Sequence, residues 1–281
     1  MRRIGIVGAE SSHTTELLRL INDEHRLPGA RVVAVAPVDV DSTGIDPARI
    51  DPALVACAPD ALVGRVDAVL VLTRAGNTHR ALAEPLLAAG LPVWVDKPFA
   101  TTLDDARAMI RVARRAGSVV WSRSALRFTA EVRRAAELAA RGELLHLRLV
   151  GPADPAGPYS GIAFYGIHLL EAAVEVLGTA GWEEAPMTVQ ATGRAVVATT
   201  RLAGTPVSCT FVRPGQGAAT TFQLSAVTAQ RIVTEPLTLG HDYLLPAAEA
   251  FLAVCDGRAA AQPDDDLLAP VCLVESLTAV C

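Results

Sequence analysis

Five short apolar segments in the first 122 residues alternate with helical segments, and this alternation restricts the fold more than any other feature of the chain. The apolar segments are Ile4–Val7, Arg31–Ala36, Val66–Leu72, Leu91–Val95 and Val119–Ser122. Strands that alternate with helices at this spacing form a parallel sheet with helices on both faces. We therefore predict an α/β domain with a doubly wound parallel sheet over residues 1–122.

Residues 123–281 are predicted to form a second α/β domain with an open, mostly antiparallel sheet. Four β-rich segments follow one another with short turns between them: Met187–Thr192, Ala195–Leu202, Pro206–Val212 and Ala219–Val227. Consecutive strands of this kind pair antiparallel. Residues 151–158 are too rich in Pro and Gly for regular structure, and they are either a mobile loop over the site or a plain surface connection. Two helices end the chain and can pack back on the first domain.

Composition narrows the class of protein. The chain has 281 residues, 51% hydrophobic content and a net charge of -5, so buried cores are expected and a nucleic-acid partner is not. No stretch approaches the roughly 18 to 20 unbroken apolar residues of a membrane span. The five cysteines are odd in number and widely spaced, which argues against a disulfide framework or a zinc site and favours a reducing cytoplasm. We expect no bound metal ion.

Lys97 is the only lysine of the chain, and every other Lys or Arg position is arginine. An arginine keeps its proton at any working pH, whereas a desolvated lysine can release one. Lys97 follows Asp96 at the carboxyl end of the segment Leu91–Val95. Ligands bind at that end of the strands in an open parallel sheet. We therefore predict that Lys97 is a site residue.

The first apolar segment leads into a turn and a helix, as in a dinucleotide-binding βαβ unit, where amides at the helix start hold pyrophosphate. The turn reads Gly8, Ala9, Glu10, Ser11, Ser12 and His13. With Gly8 as the first glycine of the fingerprint, Glu10 takes the second place and His13 the third, and a carboxylate there would repel phosphate. The two serines either cap the helix or donate to a phosphate.

The acid that holds the adenosine ribose is expected near the end of the second strand. Asp39 is the candidate at that place. Nearby arginines that would favour a 2'-phosphate are lacking, and the choice between NAD and NADP stays open.

Several motifs together resemble the glucose-fructose oxidoreductase and inositol dehydrogenase family, also called Gfo/Idh/MocA. They are the run from Asp67 to His79, the helix end Ala88–Gly90, the triplet Asp96, Lys97 and Pro98 where the family usually has Glu-Lys-Pro, the helix start Leu103–Ala106, and the pair Arg127 and Phe128. The resemblance implies a Rossmann domain that binds NAD or NADP, a second domain that shapes a sugar or polyol site, and a homo-oligomer, either a dimer or a tetramer.

The resemblance also assigns site residues. Lys97 would lie beside the nicotinamide and the reacting hydroxyl, and His168 would be the catalytic histidine. The family has an aspartate four residues before that histidine, where this chain has Phe164. Tyr165 is either a proton donor or a tyrosine packed against the sheet. The remaining candidates are Thr73, Arg74, Asn77, His79 and Asp96 for the cofactor, and Arg123 or Arg127 for an anionic group of the substrate.

Two functions remain open. The first is an NAD(P)-dependent oxidoreductase that acts on a secondary alcohol or ketone of a sugar, polyol or related small molecule. The second is a non-redox enzyme, such as a lyase or isomerase, or a sugar-binding protein with a degraded cofactor site, because one fold can host unrelated functions.

Overall fold

A computed structural model describes residues 1–38, 53–215 and 221–280. In chain order its helices and strands are β1 (Arg2–Val7), α1 (Ser12–Leu18), β2 (Ala30–Ala36), β3 (Val55–Ala56), β4 (Ala68–Val71), α2 (His79–Ala88), β5 (Val93–Val95), α3 (Leu103–Ala116), β6 (Val120–Trp121), α4 (Ala130–Ala140), β7 (His146–Pro152), α5 (Ala163–Leu177), β8 (Thr188–Thr192), β9 (Ala195–Leu202), β10 (Thr205–Val212), β11 (Phe222–Val227), β12 (Ile232–Leu237), α6 (Leu245–Cys255) and α7 (Asp264–Thr278). Within these residues, no helix is both long enough and apolar enough to cross a membrane.

The chain divides into two compact units. Unit 1 comprises residues 1–100, 104–122 and 242–262, and unit 2 comprises residues 101–103, 123–241 and 263–281. Residues 242–262 thus cluster with unit 1; the division from sequence placed them in the second domain but allowed the last two helices to pack back on the first.

Unit 1 contains a six-stranded parallel sheet with the strand order β3-β2-β1-β4-β5-β6. The strand β4 is buried at every position, as expected for a strand that helices cover on both faces. The predicted doubly wound parallel sheet is confirmed. The strand order changes direction between β1 and β4, which is the switch point where ligands bind in such folds.

Helix α6 belongs to unit 1 because its side chains enter the core beside the parallel sheet. The ring of Phe251 lies 5.9 Å from the rings of both Trp94 and Trp121. The Gln262 side chain accepts a hydrogen bond from the Ser122 amide at 3.0 Å and donates one to the Ser122 carbonyl at 2.9 Å. These contacts join residues 130 to 157 positions apart in the chain, so no local pattern could predict them.

Unit 2 contains a six-stranded mixed sheet with the strand order β12-β11-β7-β10-β9-β8. The pairs of neighbouring strands are antiparallel except β7 with β10, which is parallel. The prediction of an open, mostly antiparallel sheet is therefore confirmed. Along β10, Val207, Cys209 and Phe211 are buried and the residues between them are partly exposed, because the unit's helices cover one face of the sheet.

Two details of unit 2 differ from the sequence-based expectation. The edge strand β12 was not predicted. The segment expected to be a loop from residue 151 begins inside β7, where Gly151 pairs with Phe211 of β10. Gly151 is needed for packing: a Cβ there would lie 2.5 Å from the ring of Phe222 and 3.1 Å from Leu169. The glycine therefore marks a close contact inside the sheet.

Helix α5 is the central helix of unit 2, and eleven of its 15 residues are buried. A helix that is apolar almost all round lies inside a core, and any polar side chain on it needs a partner there. Glu171 of α5 receives the guanidinium Nε of Arg127, and Asp266 of α7 accepts a second bond from Arg127 at 2.6 Å. Arg127 therefore joins α5 to α7 inside unit 2.

We predict that Arg127→Met destabilises the protein by about 3 to 5 kcal/mol, because Glu171 would stay buried without its cation. The matched control is Arg134→Met. Arg134 is half-exposed and bonds Glu235 at 2.9 Å, and the loss of such a surface pair costs about 1 kcal/mol or less. Urea unfolding followed by circular dichroism measures both changes. Equal losses in the two variants would contradict the internal role of Arg127.

Candidate functional site

Three strands of unit 1 end side by side, and their register brings the candidate residues to one edge of the sheet. Val7 of β1 is level with Val71 of β4, which is level with Val95 of β5. The next residues along these strands are Gly8, Leu72 and Asp96. The turn after β1, the turn after β4 and the Asp96-Lys97 pair therefore lie at the carboxyl ends of adjacent parallel strands.

The turn after β1 requires glycine at its first position. Gly8 has φ +95°, and a Cβ there would lie 2.9 Å from both the amide nitrogen and Cγ2 of Thr73. An L-residue would be strained at this φ and would also collide with β4's turn. Ser11 caps α1 by accepting a hydrogen bond from the His13 amide at 3.2 Å. Ala9 is buried and Ser12 is exposed.

Glu10 lies inside this turn and is 4% exposed. Its Oε1 accepts a hydrogen bond from the Arg74 amide at 3.2 Å. Its Oε2 is buried and has no hydrogen-bond partner among the described residues. A buried carboxylate oxygen without a donor is costly, and it is therefore suited to a ligand that brings a hydroxyl or amine hydrogen.

The turn after β4 is held internally by its own side chains. The hydroxyl groups of Thr73 and Thr78 lie 3.0 Å apart, and the side chain of Asn77 is exposed. The ring of His79 is fully buried, with Nδ1 2.9 Å from the Pro98 carbonyl and Nε2 2.9 Å from the Thr73 carbonyl. His79 thus ties this turn to the segment after Lys97, and its burial leaves no surface for contact with a cofactor.

Asp96 is paired with His13. Nδ1 of His13 lies 2.8 Å from Oδ2 of Asp96, and Oδ1 accepts a hydrogen bond from the Lys97 amide at 2.8 Å. Burial alone would raise the pKa of Asp96, but the charge and hydrogen bond of His13 and the Lys97 ammonium outweigh it, and the pKa lies far below its ordinary value. His13, at the third fingerprint position, is therefore paired with the carboxylate of Asp96, which follows β5.

Lys97 is 6% exposed. Burial lowers its pKa, the nearby Asp96 carboxylate opposes that effect, and the charge of Arg74 adds to it. An ammonium with a lowered pKa releases its proton more readily than an exposed lysine. The sequence suggested a lysine here because a lysine, unlike an arginine, can lose its proton. The burial of Lys97 favours that uncharged form.

In unit 2 the candidate histidine lies on the buried helix α5. Oγ of Ser124 lies 2.7 Å from Nδ1 of His168. The amide of Ser124 donates to Glu171, one turn further along α5, at 3.2 Å. Ser124 was missed from the sequence, because a serine 44 positions away in the chain gives no local signal for a contact with a histidine.

Aromatic residues occupy the position of the absent aspartate. The ring of Phe164 lies 5.2 Å from that of Tyr159 and 4.8 Å from that of Tyr165. Tyr165 is 46% exposed, so it is not packed against the sheet, and its ring centre is 6.2 Å from that of His168. Position 164 therefore contributes apolar surface where the family has a carboxylate.

The structure separates the candidates into two groups. Unit 1 gathers the Gly8 turn, the turn after β4 and the Asp96-Lys97 pair, while unit 2 holds His168 and Tyr165. Arg127 is removed from the substrate-binding candidates because its guanidinium is buried among carboxylates. Arg123 is bonded to Asp266 at 2.7 Å and keeps some exposure. Asp39 lies outside the described residues.

Part of the sequence is similar to known oxidoreductases. Residues 2–124 match the GFO_IDH_MocA family, described as oxidoreductases with an NAD-binding Rossmann fold. An inositol 2-dehydrogenase from Burkholderia multivorans is 38% identical over 112 residues, which is 36% of this chain and 30% of the relative. The matched segment thus spans less than a third of that relative's length.

Solved structures extend the similarity in fold to the whole chain. GenD2 from gentamicin A biosynthesis, in complex with NAD, has a TM-score of 0.78 and 20% identity, and the match covers 98% of this chain and 92% of that one. The WlbA dehydrogenase from Thermus thermophilus, in complex with NAD and UDP-GlcNAcA, has a TM-score of 0.75 and 16% identity, with 99% and 95% covered. Residues 2–124 thus resemble the NAD-binding Rossmann domain of the Gfo/Idh/MocA oxidoreductases, and the solved structures show a similar fold over nearly the whole chain.

Proposed function

We propose that this protein is an NAD-dependent oxidoreductase that acts on a secondary alcohol or ketone of a sugar, a polyol or a related small molecule. The observation that supports this most directly is Lys97, a buried lysine with a lowered pKa at the carboxyl end of β5. The family match over residues 2–124 and the sugar-derivative complex of WlbA support the reaction class and the kind of substrate. A dimer or tetramer and a cytoplasmic location stay predictions.

The residues of the β1 turn fit a dinucleotide in one respect and oppose it in another. Gly8 supplies the tight turn that the first position of the fingerprint needs. Glu10 places a carboxylate in the same turn. Its Oε2, which has no partner within the part of the chain that the structure describes, suits a hydroxyl or amide hydrogen of the coenzyme better than a phosphate oxygen. We propose that NAD binds with donor groups, rather than phosphate oxygens, facing Glu10.

Lys97 is proposed to exchange the proton of the reacting hydroxyl. A neutral amine can accept that proton during oxidation, and the ammonium can return it during reduction. The bound coenzyme supplies the hydride acceptor or donor. Oδ1 of Asp96 accepts a hydrogen bond from the Lys97 amide and so positions Lys97, while Oδ2 of Asp96 is paired with Nδ1 of His13. His168 is proposed as the second group that contacts the hydroxyl or carbonyl oxygen of the substrate.

We expect Lys97→Met to lower turnover by at least about 100-fold, which is the scale of a lost proton-transfer group, while NADH binding is retained. Lys97→Arg is the matched control for charge, because an arginine keeps its proton, and we expect it to be inactive as well. A panel of sugars, inositols and sugar nucleotides provides the substrate for steady-state kinetics. Turnover at the wild-type rate in the arginine variant would exclude proton exchange at Lys97.

The pH dependence gives a second check on Lys97. Because only the neutral amine accepts a proton, kcat/KM for oxidation should rise with pH, and kcat/KM for reduction should fall through the same apparent pKa. Burial lowers the pKa of Lys97, so this apparent value should lie below the ordinary lysine value of about 10.4. Initial rates measured across the alkaline range test this. An oxidation rate that decreases with rising pH would contradict the assignment.

Glu10 favours a second candidate function, a non-redox enzyme or a sugar-binding protein that keeps the fold without a working coenzyme site. A buried carboxylate at the second fingerprint position repels pyrophosphate, and the acid normally found before the catalytic histidine is replaced by Phe164. In that case a sugar hydroxyl would donate to Oε2 of Glu10, for which the described residues provide no donor.

Titration with NADH and NADPH, followed by fluorescence, separates the two candidates. The oxidoreductase should bind NADH with a dissociation constant on the order of micromolar, typical of coenzymes and substrates near their working levels. Absence of binding at millimolar coenzyme would favour the second candidate. Glu10→Gly is the companion variant: if it binds NADH and the wild type does not, the carboxylate itself blocks the turn.

A further inference from the structure

Ser124 is a buried serine whose hydroxyl has two partners. It is 0% exposed and caps the short 3-10 turn Ala125–Phe128, where its Oγ accepts a hydrogen bond from the Leu126 amide at 3.2 Å. The same Oγ lies 2.7 Å from Nδ1 of His168. A hydroxyl group has one hydrogen to donate and two lone pairs that accept. The hydrogen bond from the Leu126 amide uses one lone pair of Oγ, and the hydroxyl hydrogen of Ser124 still needs an acceptor.

From these contacts we infer that Ser124 fixes the tautomer of His168, with Nδ1 as acceptor and the hydrogen of the neutral ring on Nε2. Among the described residues, Nδ1 is the acceptor within hydrogen-bond distance of this hydroxyl. If Nδ1 carried the hydrogen, it would donate to Oγ, and the Ser124 hydrogen would be buried without an acceptor. Buried polar hydrogens are rarely left in that state because it is costly.

Ser124 is held firmly enough to impose this choice. Its amide donates to Glu171 at 3.2 Å, and Glu171 lies three residues after His168 on α5. The serine is thus bonded to the same helix through both its backbone and its side chain. The ring of Phe222 meets the imidazole edge-on, with ring centres 5.4 Å apart, which limits rotation of the histidine ring.

The consequence rests on the proposed function. A carboxylate beside Nδ1 keeps a hydrogen there and leaves Nε2 free to act as a base. A hydroxyl that donates to Nδ1 has the opposite effect, because Nε2 then carries a hydrogen. His168 is therefore a hydrogen-bond donor toward the substrate oxygen and stabilises negative charge on it. Acceptance of the hydroxyl proton is left to Lys97, and Ser124 acts as a positioning residue through His168.

The direct test is nitrogen NMR on the whole protein labelled with 15N-histidine, without coenzyme or substrate. The spectrum is recorded at a pH of about 8, above the ordinary histidine pKa of about 6.5. The His168 signals are identified by their loss in His168→Gln. The expected pattern is a protonated Nε2 and an unprotonated Nδ1. A protonated Nδ1 in the wild type would overturn the inference, whatever any variant does.

Variants of Ser124 test the cause. Ser124→Ala should shift His168 toward the other tautomer or a mixture, and should lower kcat by about tenfold or more with a smaller change in KM, as expected when a catalytic histidine loses its preferred tautomer. Ser124→Thr, which keeps a hydroxyl and a cap, should restore the wild-type pattern. The matched control is Ser122→Ala, since the Ser122 hydroxyl is buried and has no partner among the described residues; it should leave the His168 signals unchanged.

The two proposals fail in different ways. Absence of NADH binding would remove the proposed oxidoreductase function and leave the tautomer measurement intact. A normal enzyme whose His168 carries its hydrogen on Nδ1 would remove the inference about Ser124 and leave the function intact. Unchanged His168 signals in a folded Ser124→Ala protein would also contradict the role assigned to Ser124.

Discussion

The hydrogen-bonded register of β1, β4 and β5 is the constraint on which the candidate site in unit 1 depends. Parallel pairing keeps Val7, Val71 and Val95 level, so the residues that follow each strand emerge at one edge. The Gly8 turn and Lys97 are almost 90 positions apart in the chain, yet this register makes both part of the same edge. A shift by one residue in any pair would turn the following side chains to the opposite face of the sheet.

Two buried carboxylates lie at this edge of the parallel sheet, and the requirements of stability explain only one of them. Asp96 is buried but has His13 and the Lys97 amide as partners. Glu10 is equally buried, yet one of its oxygens has no donor among the described residues. Buried carboxylates without full satisfaction lower stability, and such exceptions are concentrated at functional sites. We interpret Glu10 as the residue that makes this turn differ from the usual glycine-rich coenzyme-binding turn.

In unit 2 the same requirement for internal partners explains the surroundings of α5. The helix is buried almost all round, so His168 and Glu171 must find polar groups within the core. Ser124 and Arg127, both from the segment before α4, provide them. Arg127, which the sequence offered as an anchor for the substrate, instead pairs with Glu171 inside the core. Ser124, which belongs to no sequence motif, contacts His168. Phe164 adds apolar surface where the family has an acid.

The amino-acid sequence by itself determined the features that depend on local patterns. These are the alternation of strands and helices in the first 122 residues, the mostly antiparallel second sheet, the turn that begins at Gly8, and the presence of a single lysine, Lys97. Hydrophobic periodicity and backbone conformation act over a few residues, so they can be read without the fold. Tertiary structure alone decided which of the last two helices joins unit 1, that Arg127 and His79 are internal, that Oε2 of Glu10 has no partner among the described residues, and that Ser124 meets His168. Each of these depends on partners far apart in the chain, and which polar groups find a partner is settled only when the core around them is packed.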